Sequence, residues 1–107
     1  MKFFITFLAS LFIALPAFAT DVAMGAGGNL AFSPNEITIS AGDTVRFVHD
    51  ALPPHNVIVK DHPVFSHEGL ALAPGESFEI PFPEAGDFTY VCGPHEGAGM
   101  TGVIHVQ

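Results

Sequence analysis

Downstream of residue 19 the chain alternates apolar and polar positions at the period of a β-strand, and nowhere at that of a long amphipathic helix. In Glu36-Ile37-Thr38-Ile39-Ser40 the two isoleucines face one way and the polar residues the other, and Ala41-Gly42-Asp43 follows as a turn. Thr44 to His49 is a second run, closed by Asp50 and the Pro53-Pro54 pair. Asn56 to Lys60, Ser77 to Ile80, Asp87 to Cys92 and Gly102 to Val106 complete the set, separated by Gly, Pro, Asn and Asp. Short strands at this spacing predict an all-β, mostly antiparallel sandwich or barrel. The segment from Asp61 to Leu72 is the least regular and reads as a loop or a short irregular edge. No internal repeat, low-complexity tract or second domain interrupts the pattern.

The first residues follow a different pattern. Lys2 precedes an apolar run from Phe3 to about Leu15, and Ala17-Phe18-Ala19 is a small-x-small cleavage site. The run is shorter than the ~20 residues of a membrane-spanning helix. Residues 1–19 are therefore expected to be a cleaved signal peptide and residues 20–107 one small exported domain with no stable membrane insertion. A core of that size needs efficient packing or a bound metal.

One strand carries more than packing. Period two places Phe88, Tyr90 and Cys92 on one face, with Cys92 at the strand end pointing toward the core. The chain then breaks into Gly93-Pro94-His95-Glu96-Gly97-Ala98-Gly99-Met100 and resumes as a strand at Gly102, so this loop lies at one pole, between paired strands. Cys92, His95 and Met100 are spaced C-x2-H-x4-M, and His55 opens another strand after Pro53-Pro54. Taken singly, Met100 reads as core, His55 as a satisfied histidine and Cys92 as a buried inert thiol. Together they offer one thiolate, two imidazoles and one thioether, the donor set of a blue-copper centre holding one copper ion. Pro54 and Pro94 stiffen the approach to each histidine, and Gly93, Gly97 and Gly99 let the loop turn tightly. Backbone amides near the sulfur, that of Asn56 among them, are expected to hydrogen-bond it.

Such a centre has no acid–base partner and no open coordination position, so the chemistry left to it is gain and loss of one electron, and an enzyme is not expected. A copper chaperone or storage protein is the rival reading. It calls for Met-rich or His-rich flexible segments, whereas the chain has 3 methionines, Met1 among them. His62 and His67, a His-x4-His pair in the irregular segment, are a poor metal signal. His49 and His105 lie in strand runs and are expected to face outward.

The cysteine count and the charge add to this. A single cysteine in an exported chain permits no intramolecular bridge, and the leftover thiol calls for a role. Lys and Arg total 3 against 11 Asp and Glu, for a formal charge of −8. Lys2 leaves with the leader, so Arg46 and Lys60 face all the acids, a balance of about −9. That field keeps the protein soluble, repels nucleic acid and anionic lipid, and favours basic protein partners.

The run YVCGPHEGAGMTGVIHV, Tyr90 to Val106, closely resembles the copper loop and last strand of the plastocyanin family. FSPNEITISAGDTVRFVHDALPPHNVIV, Phe32 to Val59, resembles the strands leading to its first histidine ligand. The resemblance implies an eight-stranded Greek-key cupredoxin sandwich with one copper on His55, Cys92, His95 and Met100. It also implies a monomer that docks transiently on redox proteins, in plastocyanins cytochrome f as donor and photosystem I as acceptor, in the periplasm or thylakoid lumen. Three features depart from it. The Val57–Tyr90 segment is shorter by about ten residues, Val91 stands where the family has a tyrosine, and Glu96 stands where bacterial members often have arginine. The short middle is similar to pseudoazurin, which shares the loop spacing and serves denitrification enzymes; a periplasmic donor to a reductase is the alternative it implies.

Overall fold

A computed structural model describes residues 19–107. The signal peptide expected over residues 1–19 lies outside them but for its last residue. Nine strands form among the described residues: β1 (Ala19–Met24), β2 (Phe32–Ser33), β3 (Glu36–Ile39), β4 (Thr44–His49), β5 (His55–Val59), β6 (His67–Ala71), β7 (Ser77–Pro81), β8 (Gly86–Val91) and β9 (Thr101–Val106). They make one sheet in the order β2-β1-β4-β7 and another in the order β3-β9-β8-β5-β6. The all-β expectation stands, with nine strands, one of them only two residues long, where eight were implied. Both sheets are mixed: β1 runs parallel to β4 and β3 parallel to β9, while the other pairs are antiparallel.

Period-two alternation explains the inner faces. On β4, Val45, Phe47 and His49 point inward and are buried, while Arg46 points out and forms an ion pair with Asp21 of β1 at 2.8 Å. On β8, Phe88 and Tyr90 point inward, and Cys92 follows them beyond the strand end. Phe32, Phe47 and Tyr90 meet edge to face, the Phe32–Tyr90 centroids 4.7 Å apart and the Phe47–Tyr90 centroids 5.4 Å apart. Such pairs add about 0.5–1.5 kcal/mol each beyond the area they bury. Tyr90 fits because its partner across the ladder is Gly102, where a Cβ would overlap the phenol ring. Among the described residues its buried hydroxyl has no hydrogen-bond partner, and burial pushes its pKa well above the usual value.

Two expectations change here. His49 is not outward-facing; it shares the inward register of Val45 and Phe47 and is 1% exposed. The irregular segment contains a short 3-10 turn, Pro63–Phe65, and then β6, the outer strand of the five-stranded sheet. β6 pairs with β5 through His55–Ala71 and Val57–His67 with a register shift between them, the irregular edge that the sequence suggests.

Candidate metal centre

The last β8–β9 pair is Val91–Thr101, and beyond it the Cys92 N–H donates to the Met100 carbonyl at 3.0 Å. That bond closes residues 93–99 into a loop at one pole. Within it Gly93–Ala98 coil into 3-10 turns: the His95 N–H reaches the Cys92 carbonyl at 3.1 Å, and Gly99, at φ 85°, reverses the chain. Glycine enters that left-handed region without the cost a side chain would bring. The coil turns His95 back over the strand end, with its Nδ1 3.5 Å from Cys92 Sγ.

His55 approaches from the other side as the first residue of β5. Its Nε2 lies 2.6 Å from the Ala51 carbonyl, which can only accept, so Nε2 carries the proton and the Nδ1 lone pair is free. Nδ1 lies 3.6 Å from Cys92 Sγ. One donor atom each from His55, Cys92 and His95 falls within 4.8 Å of the others, and among the described residues no other group of three histidine, cysteine or acidic side chains gathers this way. His55, Cys92 and Met100 have no exposed surface, whereas His95 keeps part of its ring at the surface beside exposed Pro94, Gly97, Ala98 and Gly99. Desolvation and the neighbouring His55 lower the His95 pKa, which keeps its imidazole neutral and able to donate. A thiol and two imidazole nitrogens aimed at one point, with a buried methionine next in the chain fold, fit copper.

Some supporting groups do not follow from spacing. The Asn56 side chain clamps the pole: its amide donates to the Glu68 carbonyl at 3.1 Å, and its oxygen accepts from the Gly93 N–H at 2.7 Å. The Asn-after-His pair is visible in sequence, but its amide partners sit 12 and 37 residues away. The His49 and His55 rings meet at nearly right angles, with centroids 5.0 Å apart. The remaining histidines take other partners. His62 stacks on Phe65 at 5.6 Å, His67 lies flat on Phe78 at 3.8 Å, and His105 bridges Asp87 and Glu36 at 2.7 Å each. Glu96, next to His95, is ion-paired with Lys60 at 2.8 Å.

The family model "Copper binding proteins, plastocyanin/azurin family" matches residues 19–107. The chain is 40% identical over 109 residues to a chloroplastic plastocyanin of Tetradesmus obliquus, covering 94% of this chain and 75% of that one. The solved oxidised plastocyanin of Dryopteris crassirhizoma superposes with a TM-score of 0.74 at 28% identity, over 82% of this chain and all of that one, 100%. A Sinorhizobium pseudoazurin superposes with a TM-score of 0.60 at 31% identity, over 84% of this chain and 74% of that one. Among the described residues no helix is long and apolar enough to cross a membrane.

Proposed function

Because the chain belongs to the plastocyanin/azurin family of copper-binding proteins, we propose that it is a mobile one-electron carrier whose single type 1 copper is held by His55, Cys92, His95 and Met100. The observation that carries the reading is the convergence of the His55, Cys92 and His95 donor atoms within 4.8 Å. Bound copper supplies a Cu(II)/Cu(I) couple, since sulfur donors favour the reduced ion and imidazoles serve both states.

The protein's part is to hold donors in place beforehand. The Ala51 carbonyl fixes which His55 nitrogen is free, and the Cys92–Met100 backbone bond and the coil around His95 fix the loop. A pre-set donor geometry needs little rearrangement when charge changes. Burial of His55, Cys92 and Met100 excludes water, and the partly exposed His95 edge gives electrons a way out. Four protein donors leave no position for a substrate, which supports a carrier over an enzyme.

The proposed setting is the periplasm or a thylakoid lumen, with a cytochrome as donor and photosystem I as acceptor, the protein docking as a monomer. The leader-like residues 1–19 and the chloroplastic relative support it. A second reading, a pseudoazurin-like donor to a reductase, draws on the likeness to that family and on the short segment between Val57 and Tyr90. The test of the donor set is colour: the copper-loaded protein is expected to be intensely blue and Cys92→Ser colourless. A serine variant that stayed blue would overturn the assignment.

A further inference from the structure

We infer that His49 is the positioning residue of the metal centre: its buried ring is a polar wall that fixes the orientation of the His55 imidazole. The inference rests on reading His55 as a donor, but its geometry stands apart from that reading. His49 ends β4, and its main chain is held on both sides, the N–H donating to the Glu76 carbonyl at 2.7 Å and the carbonyl accepting from the Gly75 N–H at 2.9 Å. The ring therefore stays inward, 1% exposed, and meets His55 at 5.0 Å with the planes 81° apart. His55 in turn meets His95 at 5.2 Å, so the three rings form a row from the interior to the pole.

His55 can turn in only two ways, about its own ring axis or out of its slot. The Nε2–Ala51 bond resists the first, and the His49 ring blocks the second. What remains is the orientation that leaves Nδ1 toward Cys92 Sγ. Packing alone does not account for a histidine at this position. Among the described residues neither His49 Nδ1 nor Nε2 has a hydrogen-bond partner, and a phenylalanine would fill similar space without burying two unpaired nitrogens. What imidazole adds is a fixed dipole touching a ring that would share the metal's charge, in surroundings that strengthen electrostatic effects.

The test uses the full chain with His49→Ala, His49→Leu and His49→Phe. In the metal-free, 15N-histidine-labelled protein, His55 is expected as one Nε2–H tautomer with sharp ring signals. His49→Ala should give averaged or exchange-broadened signals, and so should His49→Leu, which fills the space without a flat wall and is read if the alanine variant does not fold. In the copper-loaded proteins the same two variants should change the Cu(II) hyperfine splitting. His49→Phe should restore the tautomer and the splitting, because the wall is back, yet shift the midpoint potential, because the dipole is gone. Ala and Leu variants with parental ring signals and splitting would overturn the wall; a Phe variant with the parental potential would overturn the polar part. A parent protein without type 1 colour would count against the donor assignment, while the metal-free ring signals would still judge His49.

Discussion

Gly25 has φ 76°, and a Cβ built there would run into the Ala51 carbonyl and come within 2.7 Å of His55 Nε2. The same carbonyl is the acceptor that fixes the His55 tautomer, so this glycine keeps open the space behind a donor. Left-handed backbone costs a side-chain-bearing residue roughly 1–2 kcal/mol, and forcing atoms into a packed site costs typically 1–3 more. Gly25→Ala is therefore expected to lower stability by about 2 kcal/mol or more, read as a drop in the urea midpoint at unchanged slope. An unchanged midpoint would mean that the Ala51 loop moves aside freely. At this scale the centre was partly legible. The C-x2-H spacing and the Pro-His pair pointed to Cys92, His95 and His55, the three side chains that converge, because short loops keep sequence neighbours close. Ala51 acts through a backbone carbonyl, which leaves no mark in the residue type, while Asn56 and His49 are visible in the sequence but meet their partners only in the fold. The inward register of His49 was readable from Val45 and Phe47; residue polarity outweighed periodicity in the expectation, and burial beside the site reversed it.

Across the outer face of the five-stranded sheet, His105 of β9 joins β3 and β8 by reaching Glu36 and Asp87 at 2.7 Å each. The hydrogen bond to Asp87, then that to Glu36, raises the His105 pKa. The folded state therefore holds the proton more tightly than the unfolded chain. The resulting stability is fully present below the ordinary histidine value of about 6.5 and is lost as pH rises through the raised value. The melting-temperature advantage over His105→Gln should be largest near pH ~6 and shrink toward pH ~9; an advantage that grew with pH would contradict the ion pairs. Elements that alternate cleanly, β3, β4, β7, β8 and β9, were legible in the chain. β6 carries Gly69 and exposed Leu70 at a sheet edge, where only one side pairs and period-two alternation relaxes. β1 and β2 escaped notice because their strand character comes from pairing with β4 and with each other, and the Gly-rich stretch between them reads as loop.

The acids outnumber the cations 11 to 3 over the whole sequence, and both cations of the described residues are already paired, Arg46 with Asp21 and Lys60 with Glu96. The uncompensated field is negative and steers toward basic surfaces over about 30 Å at 0.01 M salt but only about 10 Å at 0.1 M. Mixing the reduced protein with photosystem I and with a nitrite reductase should give a faster electron transfer to the true partner, and one that slows as salt rises. A rate indifferent to salt would remove steering from the account, and a preference for the reductase would move the protein to the pseudoazurin-like role. Among the converging donors His55, Cys92 and His95, only His95 keeps a partly exposed ring, and this has a further consequence for traffic. For the proposed electron carrier, one doorway means that visitors are served in turn: the donor must leave before the acceptor can arrive. The throughput of such a courier is set by how quickly each visitor departs, so a grip that is too firm on either side would stall the relay.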